Sequence, residues 1–441
     1  MALFAHALVK AKKVMAHHLP SSEVLSALSS GAHEALLRTH LGEAYDDLAS
    51  AAKSVAALAS GKKKRRVFIL PGIMASLIGT PKGSDNHVKW LDPTEIAAGS
   101  LFHLDCSKTP ITGTQVGPLL PCYLALKLRL ELARHEVEIV AYDWRHKLED
   151  IGAILASQIV ADPAAKVTLV CHSMGGMVAR AALAGSAAAN AKVDLVVQMG
   201  TPNLGAPALS QAIRGTYPAV SRLAAIDVRH TPDDYGQLCN TFPGVFALVP
   251  PKGAAVFGVD LRDPSVWPKS GVQPARNLLS SCGYSQDTLF KPDARFHLIV
   301  GANLETVTGV QKQGDNFLYQ YGYAGDGTVP HASSIIAGIG KIYYADQIAH
   351  TNLCIDPGPC DAAADILEGK TPSLPTTFTP SKAGVTKTET DASLLKANKL
   401  LQLEGDASHL FSALHADAAH AEQTVHATLK KAGSWLKKHH V

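Results

Sequence analysis

The chain has 441 residues, 46% of them hydrophobic and 18% charged, with a formal net charge of +3. That length supports a large buried core, and so mild a charge argues for no nucleic-acid partner. No stretch approaches the roughly 20 uninterrupted apolar residues of a membrane span.

The N-terminal run MALFAHALVKAKK places its lysines after its apolar residues, the reverse of a secretory leader. The expectation is a cytoplasmic or membrane-peripheral protein. Residues 1–60 are rich in Ala, Leu, His and Ser and read as a helical N-terminal extension. One of its helices is capped near Ser21–Ser22, with Glu23 in the first turn. The basic cluster Lys62–Arg66 closes this zone. It reads as a solvated linker before a strand, with a membrane-surface or anionic contact as the alternative.

Residues 61–368 read as one catalytic domain. Continuous apolar runs (67–70, 137–142, 167–171, 193–199 and 296–301) alternate with helical patterns such as 118–134 and 149–161. Strands of that kind, separated by helices, imply a mostly parallel sheet covered on both faces. Two long segments, about 80–116 and 208–294, are expected to form caps over the site. Their aromatic residues Trp90, Phe102, Tyr217, Phe242, Phe246, Phe257 and Trp267 suit an apolar substrate. Residues 369–390 are rich in Pro, Thr, Ser and Lys and read as a linker. Residues 391–441 read as a helical C-terminal extension, with Asp-Ala-Ser caps at 391–393 and 406–408.

The sharpest chemical signal is VTLVCHSMGGMVARAAL, residues 167–183. A buried strand runs into Ser173 and directly into a helix. A tight strand-to-helix turn pushes the serine Oγ out of the sheet edge and needs small residues two places either side. Gly175 meets that need, and Cys171 stands where glycine is usual. The helix start aims free N–H groups at the serine, which makes the Met174 N–H an oxyanion donor. The second donor is expected from the loop after an early strand. In VFILPGIMAS (67–76), Gly72 permits the turn and Ile73 supplies the N–H.

A serine of this kind needs an acid and then a histidine further along the chain. Asp326 lies on the glycine-flanked turn YAGDGTVPHAS (323–333), and His350 follows the strand-like YYADQIAHTNLC (343–354). Asp326 would orient His350, and His350 would take and return the Ser173 proton. His172 and His331 are the rival bases, and Asp143 and Arg145 are expected to brace loops. Seven scattered cysteines without a CxxC pair argue against a zinc site, and Cys354 and Cys360 are the nearest in sequence for a bridge. No metal or cofactor is expected.

Residues 67–360 resemble the lecithin:cholesterol acyltransferase-like family of α/β-hydrolases, which holds lipases, phospholipases and acyltransferases. The matching segments are LPGIMAS, VKWLDP (88–93), AYDWR (141–145), CHSMGG, GTPNLGAP (200–207), FPGVFALVPP (242–251), GDGTVP (325–330) and AHTNL (349–353). The resemblance implies an α/β-hydrolase fold with Ser173, Asp326 and His350 as triad and Ile73 and Met174 as oxyanion donors. It implies acyl-enzyme chemistry on lipid esters, with water or an alcohol as acceptor. A third reading assigns the action to the helical tails, as membrane or partner binders.

Overall fold

A computed structural model describes residues 21–41, 45–58, 62–82, 85–108, 111, 113–227, 229–251 and 256–396. Residues 1–20 and 397–441, which hold the first third of the expected N-terminal extension and most of the C-terminal one with its Asp-Ala-Ser cap at 406–408, lie outside the described residues.

Twelve strands are described in chain order. They are β1 (Arg66–Leu70), β2 (Ser76–Lys82), β3 (Asp85–Trp90), β4 (Thr114–Pro118), β5 (Glu136–Ile139) and β6 (Val167–His172). Then follow β7 (Val193–Met199), β8 (Phe296–Ala302), β9 (Thr306–Gln313), β10 (Asn316–Gly322), β11 (Lys341–Asp346) and β12 (Lys387–Thr390). Six form the main sheet in the order β11-β8-β7-β6-β1-β5, every pairing parallel.

Both faces of that sheet are buried, as continuous apolar strands require. In β1, Phe68 and Leu70 face one core while Val67 and Ile69 face the other. The first core takes the helices Leu148–Ala161 and Met174–Gly185, and the second takes Leu124–Leu132 and Pro357–Leu367. The N-terminal helices Ser21–Ser30, Glu34–Leu41 and Tyr45–Ala57 are not a free extension. Their Leu28, Leu41 and Leu48 pack on Leu124, Leu128 and Leu132, which adds a further helical layer.

The basic cluster is mostly spent on ion pairs at the amino ends of the strands. Lys64 meets Glu368, Arg65 meets Asp194, and Arg66 meets Glu138 and, at 2.8 Å, Asp162.

Both expected caps take definite form. Residues 76–118 hold a small antiparallel sheet in the order β3-β2-β4, and 208–287 are largely short helices. The two meet where the Phe102 ring stacks on His230 with 3.7 Å between centroids.

Two expectations need correction, the linker at 369–390 and the cap at Asp391. The antiparallel hairpin of β9 and β10 was not anticipated. Residues 369–390 are not a free linker: β12 adds to β10, the Tyr344 N–H donates to the Pro375 carbonyl, and Phe378 stacks against Tyr344. Asp391 does not act as a simple cap. It is buried, receiving Arg214 Nε at 3.0 Å and the Tyr319 hydroxyl at 2.7 Å, while Thr390 and Ser393 exchange the capping bonds. Composition signals a linker, but a buried ion pair and a strand edge are properties of what the segment lies against. All seven cysteines are unbridged, including Cys354 and Cys360. Among the described residues no helix is long and apolar enough to cross a membrane.

Candidate active site

The strand β6 delivers Ser173 at the carboxyl edge of the sheet. Ser173 has φ 52° and ψ −127°, a left-handed conformation that a non-glycine residue adopts only at a cost of about 1–3 kcal/mol. Neighbours hold it there: its N–H donates to the Met199 carbonyl at 2.9 Å, and its own carbonyl accepts from the Gly176 N–H at 3.1 Å. A Cβ on Gly175 would stand 2.5 Å from the Leu70 carbonyl oxygen and 2.6 Å from that of Pro71. The helix therefore crosses β1 so closely that only glycine fits. Cys171 sits fully buried in β6, opposite Leu70, where burial pushes its thiol well up. It is a packed small side chain rather than a reactive one.

Asp326 reaches the site by an indirect route. β8 ends at Ala302, the chain departs through the β9–β10 hairpin, and returns so that Asp326 lies beside the end of β8. A Cβ on Gly301 would be 2.6 Å from the Asp326 Cβ. The Asp326 Oδ1 accepts the Thr328 N–H at 3.0 Å and the Val329 N–H at 2.7 Å. Its Oδ2 lies 2.7 Å from the Nδ1 of His350, which follows β11. A carboxylate there selects the tautomer with the proton on Nδ1 and leaves Nε2 as the free base. Gly200, at φ 64°, makes room for the pair: a Cβ would stand 2.9 Å from His350 Nδ1 and 3.1 Å from Asp326 Oδ2.

The loop after β1, expected to carry an oxyanion donor, lies over the elbow. A Cβ on Gly72 would meet the Ser173 Cβ at 2.9 Å. Aromatic residues from two of the quoted motifs clamp this loop by its carbonyls. The Tyr142 hydroxyl donates to Pro71 at 2.5 Å, Trp90 Nε1 to Met74 at 2.7 Å and Trp144 Nε1 to Ser76 at 3.0 Å. Asp143 and Arg145 act behind them. Arg145, fully buried, pairs with Asp143 and donates to the Leu104 and Gly113 carbonyls at 3.0 and 3.1 Å. The segment 200–207 is braced from below, where Asn203 exchanges hydrogen bonds with Gln198 and accepts from Arg180.

Neither rival histidine takes the position of a base. His331 Nε2 lies 2.8 Å from the Gly301 carbonyl, with its ring against Tyr344 and Phe378. His172 does not simply point away along the turn. Its Nε2 lies 2.9 Å from the His350 carbonyl and its Nδ1 3.1 Å from the Tyr123 hydroxyl. Burial, reinforced by His350, pushes the His172 imidazole down to about 3. Tyr123 was missed in the sequence, where a tyrosine between a helical run and a proline carries no motif.

Ile73, Ser173 and His350 line one cavity of about 460 Å³. Both caps supply its walls, Trp90, Leu101 and Leu104 from the first and Tyr217, Leu223 and Phe242 from the second. Phe246, Phe257 and Trp267 are instead packed in the core, and Phe102 joins the caps. Among the described residues, Arg222 is the one Asp, Glu, Lys or Arg in the lining.

A family model described as a PGAP1-like alpha/beta domain matches residues 148–234. No curated protein matches the chain. Among solved structures it is similar to a chain of the Tle4–Tli4 complex, at 14% identity, covering 70% of this chain and 99% of that one, with a TM-score of 0.44. It is also similar to Bacillus licheniformis lipase BlEst2 in mature form (14% identity, 67% and 88% covered, TM-score 0.33). A third is Aspergillus fumigatus lipase B (14% identity, 77% and 61% covered, TM-score 0.32). With its parallel six-stranded sheet, helices on both faces and a serine elbow after β6, the chain has the α/β-hydrolase fold.

Proposed function

We propose that this protein is a serine-dependent hydrolase of lipid esters, of the lipase or phospholipase kind, working through an acyl-enzyme on Ser173. The observation that carries the reading is the cavity of about 460 Å³, walled by apolar side chains and reaching both Ser173 and His350. Its volume lies within the roughly 300–1,000 Å³ typical of small-molecule sites, and largely apolar walls suit an acyl chain. The resemblance of the sequence motifs to those of the lecithin:cholesterol acyltransferase-like family supports the same substrate class.

In the first half-reaction, His350 Nε2 takes the Ser173 proton as Oγ bonds to the ester carbonyl carbon. The carbonyl oxygen becomes an oxyanion facing the N–H groups of Ile73 and Met174. The carbon–oxygen bond to the alcohol then breaks, and His350 gives the alcohol its proton. Water, activated by His350, next attacks the acyl-serine and releases the acid and free Ser173. A contact with a membrane surface, made through the caps or the helical tails, would deliver such a substrate.

The test is covalent labelling by a fluorophosphonate probe, together with fatty-acid release from phospholipid and triglyceride vesicles, in wild type and Ser173→Ala. Labelling and release that vanish together in the variant support the reading. Equal rates in the two proteins overturn it. Adding an acceptor alcohol separates hydrolysis from acyl transfer, since transfer yields a new ester in place of free acid.

A further inference from the structure

Three loops must stay in register for this site to work: the oxyanion loop after β1, the elbow after β6 and the base loop after β11. A buried chain of hydrogen bonds runs through all three. The Gly72 N–H donates to the Tyr123 hydroxyl oxygen at 2.9 Å. That hydroxyl lies 3.1 Å from His172 Nδ1, and His172 Nε2 lies 2.9 Å from the His350 carbonyl oxygen. Tyr123 is fully buried and His172 is 8% exposed.

Chemistry fixes the direction of every bond. A carbonyl oxygen only accepts, so His172 Nε2 carries its proton. The neutral ring then offers Nδ1 as acceptor, and the Tyr123 O–H donates to it. The Tyr123 oxygen in turn accepts from Gly72. Every link is satisfied in one arrangement, and that arrangement needs a neutral His172. Burial favours it, and so does the neighbouring His350 ring, whose centre is 4.9 Å away. A charge on His172 would turn Nδ1 into a donor and take away the acceptor of the buried Tyr123 O–H, and it would oppose the positive charge that His350 acquires in the reaction.

We infer that Tyr123 and His172 are positioning residues, a buried hydrogen-bonded strut that holds the oxyanion loop and the base loop in register across the nucleophile elbow. The strut uses the Gly72 N–H and leaves the next one, that of Ile73, for the oxyanion. It grips His350 by its backbone carbonyl while Asp326 grips the ring, so the base is held at both ends. Both also line the cavity beside Ser173 and His350, but in the proposed reaction neither exchanges a bond or a proton with the substrate. Each acts through a peptide or ring that faces the reacting atoms, and misplacement by about 1 Å at such a position is worth up to ~10²-fold in rate.

The inference rests on the proposed acyl-enzyme reading, and its test separates the two. The variants are Tyr123→Phe, His172→Phe and the double variant, with His172→Gln as the conservative control. A soluble short-chain nitrophenyl ester gives kcat and KM, and fluorophosphonate labelling gives the rate of serine modification. Expected are a fall in kcat of about 10-fold for Tyr123→Phe and up to ~100-fold for His172→Phe, with KM changed less than about twofold. The double variant is expected to be no slower than His172→Phe, because both substitutions cut one strut. His172→Gln, which can still donate to the His350 carbonyl, is expected to recover part of the loss. Unchanged kcat in the single variants, or a double variant as slow as the product of the singles, overturns the inference.

Imidazole 15N spectra give a readout independent of turnover. They are expected to show His172 as the Nε2–H tautomer, and Tyr123→Phe to move the His350 ring signals. Unmoved His350 signals overturn the strut. A wild type that neither turns over esters nor takes the probe, yet shows these signals, overturns the ester reading alone.

Discussion

Asp326 Oδ2 lies 2.7 Å from His350 Nδ1, and the backbone N–H of His350 donates at 2.9 Å to the carbonyl of the same aspartate. Asp326 therefore holds both the ring and the main chain of His350. Its other carboxylate oxygen is occupied by the Thr328 and Val329 N–H groups, so the carboxylate cannot swing away.

Asp326→Asn is expected to keep this geometry and lose the tautomer. The amide can offer its NH₂ to Nδ1, which moves the proton to Nε2 and removes the base. The equivalent change in a well-studied serine protease costs about 10⁴ in kcat. A fall of ~10³-fold or more in ester turnover is expected, at nearly unchanged melting temperature. Turnover within tenfold of wild type would refute the assignment of Asp326.

Gly175→Ala tests the elbow itself. The new methyl would lie 2.5 Å from the Leu70 carbonyl oxygen, and backbone cannot rotate out of the way. Overpacking of this kind costs about 1–3 kcal/mol, and here it also displaces Ser173. Urea unfolding should show the destabilisation and probe labelling the slowed serine. A variant as stable and as reactive as wild type would contradict the close crossing.

Asp143→Ala tests the brace behind the oxyanion loop. Burial opposes the Asp143 charge, but hydrogen bonds from His146 and Arg145 outweigh it and hold the carboxyl at about 2. Removing it leaves Arg145 buried without its carboxylate, a loss of about 3–5 kcal/mol for buried pairs. The folded value lies below the unfolded one, so the pair contributes stability above about pH 4. That contribution fades as pH falls towards 2. The variant's deficit in unfolding free energy should accordingly be smaller at pH 3 than at pH 7.

His135→Leu is expected to stabilise the fold. His135 is 1% exposed, and neither ring nitrogen has a hydrogen-bond partner among the described residues. Burial, with Lys64 nearby, pushes its imidazole down to about 4. The unfolded chain, titrating near the usual value of about 6.5, binds the proton more readily. Wild type therefore loses stability as pH falls from that value towards 4. Removing an orphaned polar group is worth on the order of 1–3 kcal/mol. The gain in urea midpoint should be larger at pH 5 than at pH 8, and a loss at both would refute this account.

Much of the site was legible because local rules dictate it. The strand into Ser173, Gly175 after it and the helix beyond are one continuous segment, and its geometry follows from the size of glycine and the start of a helix. Chain order then pointed to Asp326 and His350. The continuous apolar run Val67–Leu70, one of several separated by helical patterns, pointed to the doubly covered sheet, in which these residues alternate between two cores. Other features were hidden because they are pairings between distant segments. Tyr123 meets Gly72 and His172 only after the helix Leu124–Leu132 docks on the sheet. The segment before Asp391 has the composition of a linker, yet Arg214 and the edge of β10 order it.

By itself, then, the sequence singled out Ser173, Asp326 and His350 as candidates for serine chemistry, in that order along the chain, because those signals are local in backbone geometry and side-chain type. Only the tertiary structure decided what holds them together. The Tyr123–His172 strut, the clamp of Trp90, Tyr142 and Trp144 on the oxyanion loop, and the choice of aromatic residues that face the cavity all depend on which surfaces meet. Hydrogen bonds of about 3 Å between residues far apart in the chain leave no periodicity for a sequence to display.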